Sequence, residues 1–234
     1  MLGRFLEVSL ATDRPLAAWE TFQQLRFAPA LTGDIWSHEY GVVCCAGLSL
    51  GWHAGGHTGA DEPLALCTVR PNVISLQREL QELDVDIESA RLGPDIFNQL
   101  LLREPSGMAI KVLEARSFTQ PADVPGRTLL GRFESLSLPV RELESTATFW
   151  STLGYAAREI SVPWIGIEID GLPLAYHTSR EYPGPLLIFQ RDAQGLDLEP
   201  LLACGLARGR SLPSLSGGHH LLRSPGEIDL LLLA

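Results

Sequence analysis

The chain has 234 residues, 45% of them hydrophobic and 20% charged, with 18 lysines and arginines against 28 acids for a net charge of −10. That composition can bury enough apolar surface to offset chain entropy, which excludes intrinsic disorder. An acidic chain whose single lysine is Lys111 lacks the basic face that nucleic acid or an anionic membrane requires, so neither is an expected partner.

Residues 4–11 alternate, with Leu6, Val8 and Leu10 on one face and Phe5, Glu7 and Ser9 on the other, and predict a half-buried strand. Leu16, Trp19, Phe22 and Phe27 follow at helical spacing and predict a helix at about 15–26, with Asp13 before Pro15 as its start signal. Two strands, 39–45 and 47–53, are expected to turn at Ala46 and Gly47. A strand at 64–69 then leads into a helix near 73–83, where Val73, Leu76, Leu80 and Leu83 form an apolar stripe. After a loop at Gly93 and Pro94, strands 97–103 and 108–114 are joined by the turn REPSG, whose proline and glycine suit a hairpin. The stretch from 116 to 130 is rich in proline and glycine and reads as a linker. No apolar run approaches the roughly 20 residues of a bilayer span and no export signal heads the chain, so a cytoplasmic location is expected. Cys44, Cys45, Cys67 and Cys204 form no CxxC pair and are expected to be buried thiols in a reducing compartment.

The chain repeats itself. RFLEVSLAT at 4–12 returns as RFESLSLPV at 132–140, an offset of 128 that also pairs Phe22 with Trp150, Leu25 with Leu153, Phe27 with Tyr155 and Trp36 with Trp164. GLSLGWH at 47–53 matches GLPLAYH at 171–177 at offset 124, and LLR at 101–103 matches LLR at 221–223 at offset 120. Offsets that fall steadily are what loop deletions leave in a duplicated chain.

The strand that opens each half, the aromatic helix ending FWSTLGY, and the closing segments REPSGMAIKVLE and RSPGEIDLLLL together resemble the vicinal oxygen chelate superfamily, the group of glyoxalase I, bleomycin resistance proteins and extradiol dioxygenases. The resemblance implies an α+β fold of four βαβββ modules in two homologous halves, 1–115 and 131–234, whose sheets curl around clefts. In metal-dependent members a divalent ion sits in the cleft, held from the first strand of each paired module and from the last strand of each module. Carried onto this chain, those positions are Glu7 and Ser135, Ser49 and Pro173, Leu64 and Leu186, and Lys111 and Asp229. Whichever modules pair, no set holds a histidine or more than two carboxylates, where three or four protein ligands are normal. The expectation is therefore that no metal cofactor is used and that Glu7 and Lys111 form an ion pair in the first cleft.

Other residues could carry chemistry. His53 and His177 are repeat-equivalent and suit packing, hydrogen bonding or catalysis, while His53 and His57 in HAGGH read as part of a loop. Of His219 and His220, strand alternation points one into the cleft, near Asp229 and Glu168. Trp19, Phe22, Phe149 and Trp150 are expected in the core, and Trp36 and Trp164 as walls of an apolar pocket. No GxSxG elbow and no GxGxxG or phosphate loop is present, which argues against serine hydrolysis and nucleotide binding. The leading reading is a metal-free protein that binds a small, partly apolar organic molecule, as bleomycin resistance proteins do. Glu7, Ser9, Ser49, Lys111, Ser135, Ser137, His177, His220 and Asp229 would supply polarity, and Trp36 and Trp164 area. The alternatives are a metal-dependent lyase, isomerase or dioxygenase using displaced ligands such as His177, His220 and Asp229, and a structural or interaction protein with filled clefts. Monomer and homodimer both remain open.

Overall fold

A computed structural model describes residues 1–30, 39–55, 63–116, 124–160, 162–192, 197–215, 218–226 and 228–233. In the first half the order is β1 (Arg4–Thr12), α1 (Pro15–Gln24), β2 (Ala28–Ala30), β3 (Tyr40–Cys45) and β4 (Leu48–Ala54), then β5 (Leu64–Arg70), α2 (Val73–Glu82), β6 (Ser89–Arg91), β7 (Gln99–Arg103) and β8 (Ala109–Glu114). The second half repeats it as β9 (Arg132–Val140), α3 (Leu143–Thr152), β10 (Ala157–Arg158), β11 (Ile165–Ile169) and β12 (Leu172–Thr178), then β13 (Leu186–Gln190), α4 (Glu199–Ala203), β14 (Ala207–Arg208), β15 (His219–Arg223) and β16 (Asp229–Leu233).

Each half is one eight-stranded sheet, ordered β2-β3-β4-β1-β5-β8-β7-β6 and β10-β11-β12-β9-β13-β16-β15-β14. The central strands β1 and β5 pair antiparallel, as do β9 and β13, so modules pair within halves. The repeat extends to backbone strain: Gly3 and Gly131 take φ of +115° and +114°, each with its missing Cβ directed at a backbone carbonyl on the neighbouring strand, a position closed to any other residue.

Two local expectations change. Two residues of β1, Phe5 and Glu7, face Thr68 and Cys67 with Leu6 bulged between them, and this bulge breaks the alternation. Phe5 consequently joins Val8 and Leu10 in the core while Leu6 is only half-buried. At α1 the N-cap is Arg14, without a side-chain cap, so Asp13 is not the start signal; Pro15 at N1 is. By contrast α2 is capped by Asn72, whose side chain accepts from Ser75 N at 2.9 Å.

The helices of both halves pack into one apolar core that runs continuously from Phe22, Trp52 and Leu76 to Trp150, Phe189 and Leu232. The β15–β16 hairpin of the second half reaches this core through Trp52 of the first. Trp52 of β4 packs on Phe22 at 4.8 Å between ring centroids and donates its Nε1–H to the Gly226 carbonyl of the β15–β16 hairpin at 3.3 Å. At the repeat-equivalent place in β12, Tyr176 accepts from Trp150 Nε1 at 2.7 Å. Among the described residues no helix is long and apolar enough to cross a membrane.

Glu104 is 1% exposed; one oxygen accepts from Ser106 N and Met108 N, and the other has no partner among the described residues. Burial pushes its carboxyl up to about 7, the two backbone hydrogen bonds opposing. Unfolding restores a carboxyl that ionises near 4.5, so the stability it contributes is full below that pH and is lost as pH rises through about 7. Stability to denaturant should fall by up to about 3 kcal/mol between pH 5 and pH 8, and Glu104→Gln should flatten the profile. A Trp52→Ala chain should lose about 3–5 kcal/mol and still unfold in a single transition by fluorescence and circular dichroism. Two separated transitions would contradict the shared core.

Candidate functional site

The helix-free faces of the two sheets carry different chemistry. On the first, strand register lines up Cys44, Ser49, Glu7, Cys67, Lys111 and Leu101 across six neighbouring strands. The carboxylate of Glu7, a residue 6% exposed, is met by three hydrogen-bonding side chains. Ser9 Oγ donates to Oε1 at 2.5 Å, and His53 Nε2 stands 3.3 Å from the same oxygen and, facing a carboxylate, donates to it. Tyr40 donates its hydroxyl to Oε2 and stacks its ring over His53, centroids 4.3 Å apart. Burial pushes the Glu7 carboxyl up, but the hydrogen bonds from His53, Ser9 and Tyr40 outweigh it and hold the group below the usual carboxylate range. Cys67 extends the chain of donors: Sγ lies 3.3 Å from Ser9 Oγ, whose own proton points to Glu7, so the thiol is the donor. Burial and then the Glu7 charge push that thiol up to about 12, against the Ser9 contact and Lys111.

Gly51 makes the arrangement possible. A Cβ there would stand 2.6–2.8 Å from both Glu7 oxygens and the carboxyl carbon, so the carboxylate lies where a side chain would otherwise be. The second half has Ser135 at the place of Glu7 and Ala175 at the place of Gly51. The small residue and the carboxylate change together.

The expected Glu7–Lys111 ion pair does not form among the described residues. Lys111 is one strand further along, paired with Cys67, and Cys67 with Glu7, so the thiol separates the two charges. The residues in this row also fit a divalent cation poorly: an ammonium, a protonated thiol and a carboxylate whose oxygens already accept three hydrogen bonds. Among the described residues no group of three or more His, Cys, Asp or Glu side chains converges as a ligand set.

On the second sheet the corresponding row is Ser135, Ile188, Leu231 and Leu221. The residue equivalent to Lys111 is therefore Leu231, and Asp229 is equivalent to Ala109, a two-residue correction of the expected alignment. Likewise Leu186 corresponds to Ala65, which pairs with Ser9, rather than to Leu64. This face is filled. Ala175, Leu186, Ile188, Leu221 and Leu231 pack beneath Val162, Tyr182 and Leu212, with Trp164 against them.

Several polar groups of that face bond within it. His177 Nδ1 meets Ser137 Oγ at 2.8 Å, its Nε2 meets the Tyr182 carbonyl at 3.0 Å, and its ring lies 4.9 Å from Trp164. Burial pushes His177 down to about 4, against the backbone contacts, so it is neutral near neutral pH. Tyr182 donates to Asp229, and Trp164 Nε1 to Glu181 at 3.1 Å. Ser135 Oγ is buried with no partner among the described residues. His220 shares its face with Leu222 and Leu232 on the core side, and it is His219 that turns to the filled face, accepting from Leu212 N at 3.0 Å. Trp36 and His57 lie outside the described residues.

An open cavity of about 390 Å³ lies where α1 meets the β2–β3 edge of the first sheet. Trp19 and Tyr40 line it, so Trp19, expected in the core, is a half-buried wall, and Tyr40 belongs both to the cavity and to the Glu7 cluster. Sequence reasoning passed over Tyr40 and Gly51. The signal for Gly51 was present in the repeat, as the paired change to Ser135 and Ala175; for Tyr40 the repeat offered none, since its phenol meets a carboxylate 33 positions away.

The Gly51–Glu7 dependence is testable by a double-mutant cycle read in denaturant. Gly51→Ala alone should destabilise the chain by about 1–3 kcal/mol, by forcing the carboxylate from its cage. On a Glu7→Ser background, copying the second half, the same change should be close to neutral, a coupling of at least about 1 kcal/mol. Additive effects would contradict the geometry.

No protein-family model matches the chain, and no curated protein matches it in sequence. Solved structures do. A crystal structure of catechol 2,3-dioxygenase aligns at TM-score 0.53 and 13% identity, over 98% of this chain and 91% of the other. The Mn(II)-bound glyoxalase from Novosphingobium aromaticivorans aligns at TM-score 0.54 and 12% identity, covering 98% and 81%. A mutant of 4-hydroxymandelate synthase from Streptomyces coelicolor aligns at TM-score 0.57 and 14% identity, covering 98% and 92%. At such identities the likeness carries architecture and not activity. With βαβββ modules paired in each half and these structures matching nearly its whole length, the chain has the fold of the vicinal oxygen chelate superfamily.

Proposed function

We propose that the first half binds a small, partly apolar organic molecule in the cavity beside Tyr40, without a metal ion, and that the second half is its structural counterpart. The observation that carries this reading is the double position of Tyr40. Its hydroxyl is held by the buried Glu7 carboxylate while the residue itself walls a cavity of about 390 Å³. Cavities of this size with a few fixed polar groups are the usual form of a small-molecule site. Trp19, Leu16 and Val42 supply apolar area, and Glu7, Ser9 and His53 hold Tyr40 in place. The engaged oxygens of Glu7 and the presence of Lys111 support a metal-free site, and the filled face of the second sheet supports a scaffolding role there.

The Mn(II)-bound glyoxalase among the matching structures makes a metal-dependent enzyme the rival reading. Protein purified without an affinity tag, equilibrated with manganese, iron, zinc and nickel and then dialysed, should retain well under one equivalent of each, and a chelator should leave its Tm unchanged. One tightly held equivalent, or a Tm that drops with chelator, would overturn the proposal.

A further inference from the structure

The closing hairpins of the two halves differ at one residue that matters. The β7–β8 turn begins with Glu104 where the β15–β16 turn, at the repeat offset of 120, begins with Ser224. Ser224 does its work with one atom: Oγ accepts from Gly226 N at 3.2 Å and donates to the Ile228 carbonyl at 2.6 Å. Glu104 folds its carboxyl under its own turn in the same way, Oε1 accepting from Ser106 N at 3.1 Å and Met108 N at 3.4 Å. The carboxyl carries one atom more, and that atom, Oε2, is buried with no hydrogen-bond partner.

Glu7 shows what a buried carboxylate requires in this fold, side-chain donors on both of its oxygens. Glu104 has two backbone N–H groups on one oxygen and nothing on the other, so its neutral form can remain in place far more cheaply than its ion. The charged groups nearby do not answer it. Arg103, beside it in the hairpin, turns its guanidinium to Glu88 and to the Gly107 carbonyl. From β12 the titratable group is the Tyr176 phenol, which burial and then the Glu104 charge push up. The turn is also a wall between the halves: Ser106, Gly107 and Met108 line a cavity of about 190 Å³ together with Leu138, Pro139 and Pro185. We propose that the β7–β8 turn is a proton-operated latch, seated against the second half while Glu104 is protonated and swinging out as a local opening when Glu104 ionises, which uncovers Met108 and the cavity. In the open turn the carboxyl meets water and ionises readily, so the closed form prevails at low pH and the open form gains as pH rises. This places the pH dependence of stability in one turn.

The test reads Met108, 7% exposed and the only methionine besides Met1. The full chain is treated with dilute hydrogen peroxide, which oxidises an accessible thioether to the sulfoxide, and mass spectrometry follows the rate at Met108 relative to the 38%-exposed Met1. That ratio should rise about tenfold or more from pH 5 to pH 8, and by less than about twofold in Glu104→Gln and in Glu104→Ser, the second of which copies the other hairpin. At pH 8 the Met108 rate should respond little to urea up to about 1 M, since a local opening exposes little surface. A flat ratio in the native chain, or an equal rise in both variants, overturns the latch. So does a steep urea dependence, which would mark the exposure as global unfolding.

Discussion

A carboxylate shut away from water must be compensated where it stands, and Glu7 imposes that requirement on the first sheet. Stranding such an ion costs several kcal/mol, so its surroundings are constrained on every side. Ser9 on its own strand, Tyr40 on β3 and His53 on β4 each give it a proton, and Cys67 on β5 backs Ser9. Gly51 leaves the space in which the carboxylate lies. Residues on four strands are thus tied to one charge. Strand pairing supplies the registers, and the apolar core on the other face holds those strands rigid enough for the geometry to persist. Tyr40, held by this carboxylate, is also among the residues that line the cavity between α1 and β3.

The second half shows what the same architecture does when that charge is missing. Ser135 stands in place of Glu7, Ala175 in place of Gly51 and Leu231 in place of Lys111, and Ile188, Leu186, Tyr182 and Leu212 close the face. His177 keeps the position of His53, bonded to Ser137 and the Tyr182 carbonyl, and burial keeps it neutral near neutral pH. One sheet of the repeat carries a polar face and the face of the other is filled with apolar side chains. The two halves share one apolar core, and the β15–β16 hairpin of the second accepts a hydrogen bond from Trp52 of the first.

Much of the fold was legible in the chain because duplication wrote it twice. The long strands and the helix α2 follow directly from periodicity, whereas its counterpart α4 is only five residues long, a shortening greater than the shift of one or two residues in the offset there accounts for. What periodicity missed has physical causes. The strands β2, β6, β10 and β14 span two or three residues at sheet edges, too short for alternation to register, and the bulge at Leu6 inverts it at the start of β1. The site was half legible. Glu7 was singled out correctly as an unusual residue, but its partner was sought by charge, in Lys111, when the sheet places neutral donors nearer. Carrying family positions along the chain also slipped by two residues at Asp229 and one at Leu64, shifts that only strand register could reveal. That His219 rather than His220 turns to the filled face was equally a matter of register.

The account stands on Glu7 being ionised within its cage of Ser9, Tyr40 and His53. The most direct measurement is a carboxyl-carbon NMR titration of the full chain with ¹³C-labelled glutamate, the Glu7 resonance assigned by its loss in Glu7→Gln. The account requires that resonance to report a carboxylate across the whole range from neutral pH down to about pH 4, titrating only below the ordinary glutamate range. A Glu7 carboxyl that takes up its proton above about pH 6 would show that burial wins over the three donors, and would contradict it.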